Sequence, residues 1–129
     1  MPSAPVNEPA SRPAPESTPA PREQVAGPKE SRPKGPSPRA VASLRLTERA
    51  RGFIAMNQPD EAIRTLERAI NLNPGNGTNY YYLAEAWLLK RNLAQAAEFN
   101  RLAVIYLKEL PEWRNRLANQ ADRIEKLRD

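Results

Sequence analysis

Apolar residues recur at helical spacing from Val41 onward, and the chain before that point shows no such recurrence. Leu46, Ala50 and Phe53 form the first stripe. This spacing predicts a helix from Pro38 or Ser43 to Met56 with one face turned inward. Ser37 ahead of Pro38 offers a cap, and proline suits a first helical position. After a turn at Asn57-Gln58, Pro59 opens a second helix. The proline pushes Gln58 out of the α region, which suits a capping position, and Asp60 and Glu61 complement the helix dipole. Ala62, Ile63, Leu66, Ala69 and Ile70 make the buried face, and Asn73-Pro74-Gly75 ends the helix.

A third helix is expected from Gly77 to Lys90, capped by Asn76 or Thr78. It is apolar nearly all round, as in the middle of a stack. Asn92 with Gln95 resembles a capping box for a fourth helix burying Leu93, Ala96, Ala97, Ala103, Val104 and Leu107. Lys108 holds the register of Pro74, so this helix is expected to run about one turn further, to Pro111. A fifth helix, residues 111–127, carries Trp113, Leu117, Ala121, Ile124 and Leu127 on one side. Its other side carries Arg116, Asn119, Asp122, Arg123 and Lys126, and one wet face suits a terminal cap.

The pattern repeats. Shifted by 34, residues 43–76 fall on 77–110: Leu46 lands on Tyr80, Ala50 on Ala84, Phe53 on Trp87, Ala62 on Ala96 and Ala69 on Ala103. A further shift carries Leu83 to Leu117 and Ala84 to Ala118. Self-similarity at this period marks stacked antiparallel helix-turn-helix units, an all-α solenoid.

Composition divides the chain. Residues 1–40 hold eleven of the fourteen prolines and no Leu, Ile or aromatic residue. Residues 1–39 therefore read as a disordered arm with polyproline character, unable to bury enough surface to offset its ordering entropy. Residues 40–129 read as the helical domain. The arm serves as a solvated tether; matches to proline-recognition motifs, such as Pro2-Ser3-Ala4-Pro5, arise easily in such composition. The net charge of +5 is thinly spread. In the last helix Arg114, Arg116, Arg123, Lys126 and Arg128 alternate with Glu112, Asp122 and Glu125, a solvated face and not a nucleic-acid surface. No Cys and no His are present, which excludes disulfides, thiolate nucleophiles and imidazole bases and argues against metal sites. Carboxylates such as Glu48 and Glu85 have no activator to work with, so neither catalysis nor a cofactor is expected. No apolar run is long enough for a transmembrane segment. The start of the chain lacks the basic-then-apolar pattern of a secretory signal.

The alternation of large and small residues resembles the tetratricopeptide repeat. Ala50, Phe53, Ala62, Leu66, Ala69 and Pro74 occupy its registers in the first unit, and Tyr80, Leu83, Ala84, Trp87, Ala96 and Ala103 in the second. Arg49, Asn100, and Asn57 with Arg91 depart from it, the last two standing where the family commonly has a turn glycine. The resemblance implies a protein-binding module whose first helices line a concave groove. The exposed groove positions would be Glu48, Arg51, Ala55, Tyr81, Glu85, Leu88, Asn115, Arg116 and Asn119. One subgroup grips a chaperone's C-terminal carboxylate with paired basic and Asn residues. Here those registers hold Thr47, Arg51, Tyr82, Glu112 and Arg116, which argues against that role.

Tyr80 shares the inward register of Leu46, whereas Tyr81 and Tyr82 have a case for exposure; Trp87 and Trp113 read as core. Asn76-Gly77-Thr78 matches a glycosylation sequon but sits where a helix cap is required. The expected function is a non-enzymatic adaptor holding a peptide or protein segment. The alternative is a homo-oligomer, a self-associating structural component of a bacterial cell envelope or secretion assembly. A proline-rich tether ahead of a short array is similar to small bacterial envelope proteins, which sets periplasm ahead of cytoplasm.

Overall fold

A computed structural model of the chain describes residues 35–128. The arm read over residues 1–39 lies outside the described residues up to position 34, while Pro38 and Arg39 belong to the first helix. Five helices follow: α1 (Pro38–Ala55), α2 (Pro59–Leu72), α3 (Gly77–Leu89), α4 (Leu93–Leu107) and α5 (Pro111–Arg128). Helix α1 pairs with α2 and α3 with α4; α2 packs on α3, and α5 closes onto α4. The odd-numbered helices also touch in sequence, α1 with α3 and α3 with α5.

The seams are made of alanine. Ala50, Ala62, Ala84 and Ala96 have 0% exposure, as do Ala69 and Ala103. Small side chains there let helix axes approach to roughly 8–10 Å, and the large residues between them fill the remaining space. Leu66 and Leu83 anchor the centre, with Phe53, Ile70, Tyr80 and Trp87 packed around it. Tyr80, placed in the core by its register, is half-buried and stacks on Tyr106 with centroids 5.3 Å apart.

The two repeats close their first helices with the same hydrogen bonds. After α1, the Asn57 and Gln58 amides donate to the Ile54 and Phe53 carbonyls at 2.9 and 2.8 Å. After α3, the Arg91 and Asn92 amides donate to Leu88 and Trp87 at 2.9 and 3.0 Å. Both are Schellman closures, which need a left-handed residue at the first position past the cap. Starts follow the expected caps: Ser37 Oγ accepts from Ala40 N–H, Asn76 Oδ1 from Thr78 N–H and Asn92 Oδ1 from Gln95 N–H, each at 3.1 Å. Gln58 stands at the cap position of α2 without a side-chain bond.

Gly77 is required by space. A Cβ there would stand 2.6 Å from Tyr106 Cβ and 2.7 Å from Leu107 Cγ, so the start of α3 lies directly on the end of α4.

Three expectations are corrected. Helix α4 stops at Leu107 instead of running on toward Pro111. Pro111 drives Leu110 from the α region, and the chain reverses through a turn in which Leu110 N–H donates to Leu107 C=O at 2.9 Å. Val104, expected in the core, is 38% exposed because no helix covers that side of α4 among the described residues. The packed side of α5 also differs. Leu117 joins Tyr81, Ala103 and Leu107, and Ile124 joins Leu88 and Ala96. Between them lies Gln120, fully buried, while Leu127 is 43% exposed.

Candidate protein-binding groove

The odd-numbered helices bring Arg51, Ile54 and Ala55 of α1, Tyr81, Tyr82 and Glu85 of α3, and Arg116 of α5 around one groove of about 220 Å³. Adjacent helical residues point roughly 100° apart. Tyr81 therefore turns toward α5 while Tyr82 spreads across the face between α1 and α5. Trp113 and Arg116, three apart on α5, lie on one side of that helix and meet the tyrosines together.

Three rings and two guanidiniums interlock. Tyr81 and Trp113 meet edge-to-face at 5.2 Å, and Tyr81 and Tyr82 at 5.1 Å. The Arg116 guanidinium carbon sits 4.2 Å from the Trp113 centroid and 5.1 Å from that of Tyr81, and its Nη2 donates to the Tyr82 hydroxyl at 3.2 Å. From the opposite wall Arg51 lies 5.3 Å over the Tyr82 ring. Cations over aromatic faces gain about 0.5–2 kcal/mol, more as water is excluded, so this stack holds two positive charges in place before any ligand arrives.

Burial works against the Arg116 charge, but the Tyr82 and Tyr81 oxygens more than offset it and raise its pKa. Burial pushes the Tyr81 phenol above its ordinary value, and Glu85 adds to the effect, so the ring stays neutral. Arg116 forms no ion pair among the described residues. Among the described residues, Arg51 is paired only with the exposed Glu48 one turn away, at 3.2 Å.

Glu85, the acidic member of the groove, is already engaged. It accepts from both Arg123 nitrogens and from Gln120 Nε2 at 2.8 Å. That bond holds the Arg123 guanidinium charged, against the cost of burial. Gln120 also donates to the Tyr81 carbonyl at 2.9 Å and accepts from Asn100 Nδ2 at 2.9 Å. Asn100, which departs from the apolar pattern set by Leu66, is thereby satisfied inside the fold. Glu48 and Glu85 lie in separate ion pairs, with Arg51 and Arg123.

Arg51, Ala55, Tyr81, Glu85 and Arg116 line the groove, whereas Glu48 on α1 and Asn115 and Asn119 on α5 are exposed outside its lining. Two expectations of exposure fail. Tyr81 is only 7% exposed because Trp113 and Leu117 of α5 close on it. Leu88 is 8% exposed, covered by Ile124, and borders a second cavity of about 460 Å³ between the ends of α3 and α5. Trp113, read as core, is half-buried and serves as the bed for Arg116. Gln120 escaped sequence reasoning altogether. Its one signal was the spacing Leu117, Gln120, Ile124, which places it on the packed face. Among the described residues, no group of three or more His, Cys, Asp or Glu could hold a metal ion, and no helix is long and apolar enough to cross a membrane.

Paired antiparallel helices, stacked in register with a groove across the first member of each pair, define an α-helical repeat protein. Residues 47–111 match the family model of the tetratricopeptide repeat, and the chain belongs to that family. Repeats of this family are typically non-enzymatic modules that mediate protein–protein interaction. No curated protein and no solved structure matches the chain.

Proposed function

We propose that the chain is an adaptor that holds an extended, carboxylate-bearing segment of another protein in the groove across α1, α3 and α5. One observation carries the reading: Arg116, without an acidic partner among the described residues, is laid over Trp113 and Tyr81 and bonded to Tyr82. A guanidinium fixed in this way offers a planar fork to a carboxylate at little entropic cost. Arg51, across the Tyr82 ring, supplies a second charge that can leave its exposed partner, since surface pairs contribute only about 0–1 kcal/mol. Between them the half-buried Tyr82 and Ile54 and the exposed Ala55 suit the aliphatic part of the same segment. The proline-rich sequence ahead of residue 35 supports a tether to whatever the module serves.

A display library of random peptides tests this. Selection on the wild-type chain is expected to enrich sequences with Asp or Glu beside an apolar residue. Arg51→Glu/Arg116→Glu, both exposed positions, should abolish that enrichment while leaving helicity intact. Enrichment of neutral or basic sequences, or of the same sequences by the double variant, overturns the reading.

A further inference from the structure

Two grooves run end to end between α4 and α5, on the side of α5 turned away from Arg116. One, of about 240 Å³, is floored by Val104, Leu117 and Ala118; the other, of about 220 Å³, by Ala97 and Ile124, and Ala121 lines both. The internal repeat shows what this face lacks. Shifted by 34, Ala50 and Ala84 fall on Ala118, and Phe53 and Trp87 fall on Ala121. The two earlier alanines are wholly buried and the two rings pack against the core. Ala118 is exposed, and Ala121 offers a methyl group where each earlier unit places a ring. In both complete units a second helix covers the first, α2 on α1 and α4 on α3. Helix α5 has the register of a first helix, and among the described residues no second helix lies on it.

The charges around this apolar floor select the partner. At one end stand Lys108 and Arg114, where Arg114 Nε donates to the Lys108 carbonyl at 3.4 Å. Neither forms an ion pair among the described residues. At the other end stand Arg101 and Arg128, paired with the exposed Glu98 and Glu125 one turn away on their own helices. Surface pairs of this kind contribute little and release readily. Glu125 lines the second groove, whereas Glu98 and Asp122 lie outside both linings. A second copy of this face would set cations against cations at its ends, which disfavours it. A helix with acidic ends meets opposite charge at each.

We propose that this face holds an amphipathic helix of another protein, apolar along one stripe and acidic at both ends. From Arg114 to Arg128 the face spans about 21 Å, or roughly four turns of helix. The two complete hairpins say how the incoming helix lies. It runs antiparallel to α5, with a small residue against Ala118 and a large apolar one over Ala121, supplying the bulk that Phe53 and Trp87 give the earlier units. Alanine at the crossing lets the axes approach to about 8 Å. Residue 116 lies about 200° around the helix from residue 118, so the concave groove and this face are filled independently. A single helix buries less than the roughly 1,200–2,000 Å² of standard interfaces, and affinity in the micromolar range is expected.

A display library of helix-favouring peptides about 16 residues long, randomised along one face, tests this. Selection uses the full chain carrying Arg51→Glu/Arg116→Glu, so that the concave groove plays no part. Sequences with Ala or Leu at intervals of three and four and Glu at both ends are expected to be enriched. Fluorescence anisotropy then follows one enriched peptide, labelled, on wild type and variants, with helicity measured alongside. Lys108→Glu/Arg114→Glu, both exposed positions, should weaken binding by more than about tenfold. Ala118→Gln fills the crossing without adding charge and should weaken it by at least about fivefold. Arg51→Glu/Arg116→Glu should stay within about threefold of wild type. A selection that enriches no helical sequence, or enriches Lys in place of Glu, overturns the proposal. So does a peptide that binds the Lys108→Glu/Arg114→Glu or Ala118→Gln chain as tightly as wild type. A chain that dimerises at about 300 μM in sedimentation equilibrium, and is made monomeric by Ala118→Gln, also overturns it and gives the face to a second copy.

Discussion

Asn57 and Arg91 stand 34 residues apart and share one backbone conformation, with φ of 58° and 63°. Each closes the first helix of its hairpin, where the chain must turn left-handed to satisfy the last carbonyls. An L-residue with a long side chain pays about 1–2 kcal/mol in that region, and Asn less because its amide bonds locally. Arg91→Gly is therefore expected to raise stability by about 0.5–1 kcal/mol after the added freedom of the unfolded chain is subtracted, and Asn57→Gly by less. Urea unfolding midpoints check both the sign and the order. No gain at Arg91 would mean that its exposed side chain contributes to the native state in some other way.

Gln120 ties α5 to the hairpin beneath it through Asn100, the Tyr81 carbonyl and Glu85. Gln120→Leu is expected to cost about 2–3 kcal/mol, because Asn100 loses an acceptor and Glu85 a donor in a buried site. Asn100→Leu/Gln120→Leu should cost less than the sum of the two single changes, by about 1 kcal/mol or more. The reason is that Leu66 already fills the register of Asn100 in the first repeat, where it is wholly buried among apolar residues. The Tyr81 carbonyl lies within α3, and Glu85 keeps Arg123. A double-mutant cycle on chemical denaturation measures the coupling; strict additivity would show that the network contributes no more than its separate parts.

Most of the fold could be read from residues whose role is local. Ala50, Ala62, Ala84 and Ala96 mark the seams because nothing larger fits there, and Pro59, Asn73-Pro74, Asn92 and Pro111 punctuate the helices chemically. Residues whose fate depends on a neighbour several helices away were misjudged. Tyr81 and Leu88 look outward on α3 taken alone and are buried only because Leu117, Trp113 and Ile124 of α5 arrive over them. Val104 looks buried on α4 alone and is exposed because no helix lies on that side among the described residues. Gln120 is polar, and polarity in a terminal helix signals water unless the partners Asn100 and Glu85 are already known. In the groove, Arg51 and Arg116 could be named from register, but not their stacking on Tyr82 and Trp113, which depends on the angle at which α5 docks.

Lys90 Nζ at the end of α3 lies 2.5 Å from Asp60 Oδ1 at the start of α2, linking the two hairpins. The hydrogen bond to Lys90, and then its charge, hold the Asp60 carboxyl below the usual carboxylate range. A depressed folded value means that the pair stabilises the protein fully above the unfolded carboxylate value, about pH 4, and that this contribution is lost as pH falls through the lower folded value. Asp60→Asn should therefore lower Tm slightly at pH 7, and the difference from wild type should close as pH falls through the depressed folded value. Because the pair is exposed, raising the salt to about 1 M should also shrink the difference. A gap that persists in acid would show that the effect does not come from the Asp60 charge.

Gly77 opens α3 at the one point where a methyl group would meet the Tyr106 and Leu107 side chains at under 3 Å. Alanine favours a helix over glycine by about 1 kcal/mol in an interior position and less at its first residue. Overpacking of a closed site costs about 1–3 kcal/mol. Gly77→Ala is thus expected to destabilise the chain, with the loss concentrated in the α3–α4 hairpin. Amide exchange should report it as faster opening of α4 relative to α1. Neutral or improved stability would show that Leu107 can withdraw without loss of packing.

Arg116 distinguishes charge from geometry in the groove. Arg116→Lys keeps the positive charge but loses the planar group that lies 4.2 Å from the Trp113 centroid and reaches the Tyr82 hydroxyl. If the site recognises a carboxylate by a fixed fork, Lys should bind an acidic peptide nearly as poorly as Ala does, about tenfold or more below wild type. A site that works by diffuse attraction would instead keep most of its affinity with Lys, and lose it in steps as salt is raised. Tyr82→Phe removes only the hydroxyl and should cost a few-fold, since the ring faces remain and Arg116 keeps its bed on Trp113. Titrations followed by tryptophan emission separate these cases, because Trp113 lies directly beneath the guanidinium and should respond to ligand only while Arg116 is in place.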